Sequence, residues 1–316
     1  MSEKQALAID VGGTKILSGL ISKKGIISDR RTFSTKNTLV DALVLQLEEI
    51  IDYYISSNEI SGIGIAFAGT VDYKKGIVIE PPNFSFSNLK ITEILGKKFK
   101  VPIFVENDAN LATLGEKHHG AAKNSDEVVM VTLGTGIGGG IISVGKLIRG
   151  FNGSAAELGH MIIDPDSKVK CGCGAYGCFE TKASGKALVR IALSKLENKP
   201  KSLILDYAQG KDEYITGPFI TEAARNGDKI ALQCFVHLSR WLGIGLTNIV
   251  NIFNPELIVL GGGLANAYDL FVPAATDFAR KDAMSPNKES FKVVKAVLGD
   301  DAGLYGAAAM VFGRIE

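Results

Sequence analysis

The chain has 316 residues, 46% of them hydrophobic, which is enough for two medium-sized cores, and its 35 basic and 34 acidic residues leave a formal net charge of +1. So even a balance supplies no field that would draw the protein onto a nucleic-acid backbone or an anionic membrane, so the composition favours a small substrate, near-neutral or locally charged. The N-terminus MSEKQALAIDVGG holds four apolar residues before an aspartate, too few for the apolar core of a secretory signal, and the expected location is cytoplasmic.

In chain order, ALAIDVGGTKILSGLIS reads as a strand ending near Asp10, a turn through Gly12 and Gly13, and a second strand from Ile16. GIGIAFAGTVDYKKGIVIEPPN reads as a buried strand, a loop at Gly69 and Thr70, and a second strand stopped by Pro81 and Pro82. VPIFVENDANLATLGEKHHG predicts a strand running into a helix that starts at Asn107 or Asp108. His118 and His119 close that helix; adjacent helical residues point to different faces, so the pair is read as a solvated helix end rather than a metal site. VVMVTLGTGIGGGIISVGKLI, residues 128 to 148, repeats the opening layout of strand, glycine turn and strand, which predicts an internal duplication and two related α/β domains.

Residues 195 to 220 are the most polar stretch and are expected to form a surface excursion. The run WLGIGLTNIVNIFNPELIVLGGG is interrupted by Asn248, Asn251, Asn254 and Pro255, which fits a buried helix followed by a buried strand and not a membrane span; Cys234, just before it, is read as a core residue. After that strand come Gly261 to Gly263 and a helix, and KVVKAVLGDDAGLYGAAAMVFG predicts a strand, an acidic turn and a small-residue helix that returns to the first domain. The expected boundaries are residues 1–119 with 302–316 for a small α/β domain and 120–301 for a large one.

Three of the four cysteines fall in KCGCGAYGCFE. Cys171 and Cys173 are too close in sequence to pair without strain, and a reducing compartment disfavours disulfides, so the spacing reads as a metal loop. Cys171, Cys173 and Cys178 supply three thiolates and His160 is the nearest fourth ligand for a closed structural zinc site. Glycine-rich turns at strand ends suit phosphates, because bare backbone N–H groups approach anionic oxygens where a side chain would block them. DVGGTK fits neither a Walker loop nor G-x-G-x-x-G, and the strand after it disfavours Rossmann and P-loop architectures.

DVGGTK, ENDAN, LGTGIGGG, ELGH and CGCGAYGCFE, in this order across nearly the whole chain, resemble the ROK family of repressors and sugar kinases, and within it the bacterial and archaeal glucokinases. The resemblance implies a two-lobed actin-like ATPase (ribonuclease H-like) α/β fold with a central cleft, and ATP-dependent phosphorylation of a hexose, glucose first, at the 6-hydroxyl. It also implies Mg2+ with ATP, structural Zn2+, and assembly as a homo-oligomer, dimer or tetramer. By the same resemblance Asp108 is the catalytic base, and Gly69, Asn83, Asn107, Asp108, Glu157, His160 and Glu180 contact the hexose. Asp10, Val11, Gly12, Gly13, Thr14 and Lys15, with Gly134, Thr135, Gly136, Ile137, Gly138, Gly139, Gly140 and Gly262, meet the nucleotide, Asp10 approaching its magnesium. If zinc ties His160 to the cysteine loop, it gathers Glu157, His160 and Glu180 from separate stretches. Alternatives within the class are kinases of N-acetylmannosamine, N-acetylglucosamine or fructose. A sugar-responsive repressor is disfavoured, since only about half a dozen residues precede the first strand and no basic recognition helix is visible; an inactive sugar-binding scaffold has no positive support.

Overall fold

Alternating apolar runs and glycine turns set the strands, and the structure, a computed structural model, describes residues 4–36, 39–198 and 200–315. β1 (Gln5–Val11), β2 (Lys15–Ser22) and β3 (Ile27–Ser34) form an antiparallel meander. α1 (Val40–Ile55) leads to β4 (Ile60–Phe67), a small hairpin of β5 (Thr70–Asp72) and β6 (Ile77–Glu80), α2 (Ile91–Lys98), β7 (Ile103–Asn107) and α3 (Asp108–His119). Where one strand was expected after Gly69 there are two, because Tyr73 to Gly76 turn the chain back on itself.

The second half opens with β8 (Val128–Leu133), β9 (Ile137–Ser143) and β10 (Lys146–Leu147). It continues through α4 (Glu180–Ala183), α5 (Gly185–Leu196), α6 (Leu203–Tyr207), α7 (Gly217–Arg225) and the long α8 (Lys229–Phe253). β11 (Leu257–Gly261), α9 (Tyr268–Asp282), α10 (Asn287–Ser290), β12 (Lys292–Lys295) and α11 (Ala302–Ile315) complete the chain. The stretch 195–220 is not the loop its polarity suggested: it holds α6, a tight turn at Asp212–Tyr214 and the start of α7, with Ile204, Ala208 and Ile215 buried. Ser202 and Thr216 accept from Ile204 N and Phe219 N as helix caps, and Pro218 sits in the first turn of α7, local signals that the polar composition masked.

The two five-stranded sheets have corresponding orders, β3-β2-β1-β4-β7 and β10-β9-β8-β11-β12. β1, β4 and β7 run parallel with Val11, Phe67 and Asn107 in line, so the residues after them leave from one edge of the sheet. β8 and β11 are parallel with Thr132 opposite Gly261, which places the Gly134 and Gly262 turns just past the ends of neighbouring strands. Carboxyl-terminal strand edges are where open α/β sheets take their ligands. Contacts group Met1–Asp126, Gly140–Ala156 and Val297–Glu316 in one unit and Glu127–Gly139 with Glu157–Ala296 in another. Among the described residues no helix is long and apolar enough to cross a membrane.

In the first unit β1, β2 and β4 are buried on both faces of the mixed sheet, whereas the antiparallel edge strand β3 is largely exposed. Leu7, Ile9, Val11, Ile63, Ile65 and Phe67 pack with α1, whereas the opposite face offers Ala6, Ala8, Gly64 and Ala66 to α11. The small residues let helices approach at backbone distance. A Cβ on Gly306 would lie 1.7 Å from the Leu111 carbonyl oxygen of α3, and one on Gly64 would lie 2.3 Å from that of Ala307. α11 thus fixes both β1 and α3. Gly306→Ala is expected to cost about 3 kcal/mol through overpacking, while Gly313→Ala in the same helix, where a Cβ meets nothing within 4 Å, is neutral or stabilising by about 0.5 kcal/mol. Urea unfolding of both variants checks this, and equal effects would refute the close-packing account.

Candidate active site

The first unit contributes a turn and a helix start. Gly12 N donates to Lys15 O at 3.0 Å, and Thr35 Oγ1 donates to Gly12 O at 2.7 Å, which pins the β1–β2 hairpin. Among the described residues the N–H groups of Gly13 and Thr14 have no acceptor, so the turn presents two consecutive free donors. Asn83, seventy positions away, lies against this turn: a Cβ on Gly13 would come within 2.6 Å of its Cβ. Gly69 (φ +112°) is forced by its neighbours, since a side chain there would strike the Glu80 carbonyl at 2.3 Å, and its own carbonyl accepts from Asn107 Nδ2 at 3.0 Å.

Asn107 caps α3, its Oδ1 accepting from Asn110 N at 3.0 Å, so Asp108 is the first helical residue and not the cap. Asp108 Oδ1 accepts from Ala109 N at 2.9 Å. Beneath this junction lies a residue pair that the sequence did not signal. The fully buried Glu106 carboxylate accepts from Arg149 Nε at 2.6 Å, Asn107 N at 3.0 Å and Asn110 Nδ2 at 3.1 Å, so its charge is paired and both oxygens are used. No local pattern links residues 106 and 149.

Asp10 ends β1 against the start of α11, where a Cβ on Gly303 would lie 2.7 Å from its Oδ2. Burial, then the negative charge of Asp108 and that of Asp300, outweighs Lys15 and raises the Asp10 carboxyl to about 7. Lys15 is spoken for by an ion pair to Asp300 at 2.7 Å, which holds the Asp300 carboxyl below its usual range. A carboxylate so poorly compensated fits a place completed by a cation.

In the second unit Gly134 N donates to Gly136 O at 3.0 Å, and Gly134 O accepts from Gly185 N at 2.8 Å, so the glycine loop rests on the start of α5. Thr135 N and Gly136 N have no acceptor among the described residues, a second pair of free donors matching the first. Gly262 (φ +83°) follows β11, and a Cβ there would lie 2.5 Å from Leu133 O. Beside these turns opens a cavity of about 1000 Å³ reached by Gly134, Thr135, Lys186 and Gly263, with Val189, Ile215, Pro218 and Leu264 as apolar wall. Its size and mostly apolar lining suit a flat heterocycle with a polar tail. Of the expected nucleotide residues, Gly134 and Thr135 reach this cavity, and Gly262 adjoins it. Ile137 to Gly140 run on into β9, Gly140 packing against Thr113. The walls from 186–189, 215–225 and 263–267 were not anticipated; the Thr216 cap and Pro218 were the available signal.

The cysteine knuckle is closed by Cys171 N to Ala175 O at 2.8 Å and Gly174 N to Cys171 O at 3.0 Å. His160 Nδ1, Cys171 Sγ, Cys173 Sγ and Cys178 Sγ form a group whose ligand atoms all lie within 4.8 Å of one another. Cys171 Sγ is 3.6 Å from His160 Nδ1, and Cys173 Sγ is 3.7 Å from Cys178 Sγ. Tetrahedral zinc with Zn–S about 2.3 Å and Zn–N about 2.0 Å requires S···N and S···S edges of about 3.5 and 3.8 Å, so the donors fit that ion. Burial raises the thiols of Cys171 and Cys178; a bound dication would reverse this. Cys171 Sγ donates to Glu180 Oε1 at 2.9 Å, and Glu157 Oε2 is 3.8 Å from His160 Nε2. Glu157, His160 and Glu180 therefore converge in this unit. A metal-bound thiolate cannot donate, so filling the site leaves Glu180 Oε1 an open acceptor.

The sequence profile of the ROK family matches residues 6–314. The chain is 36% identical over 305 residues to a glucokinase of Streptomyces coelicolor, spanning 96% of each protein. It superposes on the crystal structure of a ROK family glucokinase from Streptomyces griseus in complex with glucose and AMPPNP with a TM-score of 0.85 and 35% identity, covering 97% of this chain and 98% of that one. The xylose repressor of Bacillus subtilis is 32% identical over 280 residues, 88% of this chain and 67% of the repressor.

Asp10 gives a sign-definite dependence of stability on pH. Its carboxyl ionises near 3.8 unfolded and about 7 folded, so between these values the native state binds more protons than the unfolded one and stability falls as pH rises. Asp10→Asn is expected to stabilise the protein by on the order of 2–4 kcal/mol at pH 8, with the gain shrinking toward pH 4.5. Urea unfolding at both pH values tests it; a gain independent of pH would mean that the Asp10 charge is not strained.

Proposed function

The chain belongs to the ROK family, and from that membership we propose that it is an ATP-dependent hexose kinase that transfers the γ-phosphoryl group of ATP to the 6-hydroxyl of glucose. The observation that carries this reading is the placing of Asp108 at the first turn of α3, close enough to Asp10 to shift its acidity and on the same sheet edge as the Gly13–Thr14 donor pair. That edge supplies a base, a carboxylate awaiting a cation and an anion cradle.

In this reading Asp108 orients the 6-hydroxyl and takes its proton as the new P–O bond forms. A carboxylate is too weak a base to ionise an alcohol beforehand, so the proton moves late and position contributes most. Asp10 would hold Mg2+ together with bound ATP, an ion whose chemistry there would be to offset charge on the phosphates. The N–H pairs of Gly13–Thr14 and Thr135–Gly136 donate to phosphate oxygens, and the cavity beside Thr135 takes the adenosine. Gly69, Asn83 and Asn107 of the first unit contact the hexose. Glu157 and Glu180 accept from sugar hydroxyls, and the imidazole of His160 donates from Nε2. His160, Cys171, Cys173 and Cys178 would hold structural zinc, which would fix the loop and leave the His160 Nε2 proton free for the sugar.

Asp108→Asn is expected to lower kcat by about 10³ or more while hexose affinity by calorimetry stays within about threefold. A coupled ADP-release assay over glucose, fructose, N-acetylmannosamine and N-acetylglucosamine reads out both the activity and its substrate. Turnover with none of them removes the kinase assignment, and a stronger preference for another sugar removes glucose. For the metal, elemental analysis should find about one zinc per chain. Cys173→Ser should lose it and raise the KM for glucose about tenfold while leaving that for ATP within about twofold. Parallel losses in both constants would indicate unfolding instead of a local cross-tie.

A further inference from the structure

A second concavity of the second unit, about 350 Å³, opens where α4, α5 and α8 meet, and cations dominate its lining. Lys182 comes from α4, Arg190, Ser194 and Lys195 from α5, and His237 from α8, with Val169 and Ile191 as the apolar wall. In a chain whose overall charge is +1 this is a marked local excess. Among the described residues Lys182 is the one member with a carboxylate partner, Asp164. Arg190 donates to the Thr181 carbonyl, and Lys195 Nζ reaches Gln233 Oε1 at 3.5 Å, so neither contact neutralises a charge.

His237 is set as a donor. Trp241 Nε1 donates to its Nε2 at 3.1 Å, which leaves the ring proton on Nδ1. Burial, followed by the positive charges of Lys195, Lys182, Arg240 and Arg190, pushes the imidazole below its usual range, so it donates as a neutral ring. Four cations thus act on the ring, and among the described residues Asp164 is the one carboxylate paired with any of them. Lys182 Nζ also lies 4.9 Å from the centre of the Trp241 ring.

From this geometry we propose that the pocket is an anion site that binds a phosphate monoester, with the Arg190 guanidinium, the Lys182 and Lys195 ammonium groups, His237 and the Ser194 hydroxyl as its donors. A carboxylate has two oxygens and one charge, too few for this set, whereas a phosphate monoester dianion offers three terminal oxygens that accept from a planar guanidinium and from point charges together. The volume exceeds that of a bare phosphate, and Val169 and Ile191 give the esterified part an apolar surface. None of these residues belongs to the proposed hexose or nucleotide set.

Trp241 is the chain's single tryptophan, and its contacts with His237 and Lys182 make its fluorescence a reporter of this pocket. The experiment titrates the intact protein with glucose 6-phosphate, inorganic phosphate and glucose at constant ionic strength, and repeats each titration by calorimetry. A saturable fluorescence response to glucose 6-phosphate with a Kd below about 1 mM, and no fluorescence response to glucose, whose heat reads the hexose site alone, is expected. A response to inorganic phosphate at equal affinity would assign recognition to the phosphate group alone; a weaker one would assign part of it to the ester. The double variant Arg190→Gln/Lys195→Gln should bind at least about tenfold more weakly while its sugar-kinase turnover without added phosphate ester is unchanged, and Lys195→Gln alone should fall between. No fluorescence change with glucose 6-phosphate or inorganic phosphate up to about 10 mM, or a fluorescence response that survives in the double variant, overturns the proposal.

Discussion

Three sulfurs and an imidazole nitrogen within 4.8 Å of one another form an arrangement that side-chain packing alone does not sustain. The loop that carries them has few apolar anchors: Ile162 and Tyr176 are 60% and 50% exposed, and the buried members are Cys171 and Cys178 themselves. Its hydrogen bonds close tight turns but leave the knuckle without a core of its own, so a metal cross-link there would supply what a hydrophobic cluster supplies elsewhere. On its C-terminal side the loop is fixed by Phe179, fully buried beneath α8 where Gly245 leaves room for the ring; a Cβ there would lie 2.3 Å from it. Glu180 stands between these two anchors, touching Cys171 through one oxygen and the Gly136–Ile137 backbone through the other, at 3.4 Å from Ile137 N. A single carboxylate therefore connects the metal knuckle with the second glycine turn, and any shift of the knuckle is felt at both.

The first unit reaches comparable definition by a different route. Its acidic groups are placed by close backbone packing, with Gly306 and Gly64 allowing α11 to lie against α3 and the sheet, and Gly303 leaving space for Asp10. Beneath Asn107 and Asp108 the Glu106–Arg149 pair supplies a rigid, satisfied polar floor. One unit thus positions its carboxylates through backbone proximity and a buried ion pair, and the other beside a sulfur and imidazole cluster that fits a metal. Both devices hold side chains on element ends rather than in long loops, which is what precise placement of reacting groups demands.

The motifs legible in the sequence were those in which chemistry and local structure share a short stretch. DVGGTK and LGTGIGGG each signal strand, turn and strand because glycine is needed where the backbone itself is the ligand, and CGCGAYGC signals a knuckle because thiolates and glycines alternate. What escaped was assembled over long distances. Arg149 reaches Glu106 from 43 positions away, and Lys15 finds Asp300 across 285, pairings set by the fold and by no local period. The cavity wall formed by Ile215 and Pro218 escaped for another reason: the polar stretch before it read as loop, although Ser202 and Thr216 are helix caps and the buried side chains are few and widely spaced. Gly140 of β9 carries a packing constraint that the glycine run did not reveal, because a Cβ there would meet the Thr113 side chain of α3.

The strain at Asp10 gives these arrangements a common logic. A group whose charge is resisted by burial and by a neighbouring Asp108 lowers the stability of the protein at neutral pH, yet the fold retains it at the end of its central strand. Relaxing it would require moving Asp108, inserting a lysine closer than Lys15, or opening the strand end to water. The first would displace the base, the second would preoccupy the place of a cation, and the third would screen the charges meant to act on phosphate. In the proposed kinase reading the missing positive charge would arrive with the nucleotide, and its contact with Asp10 would relieve a strain that folding built in, favouring the loaded state over the empty one.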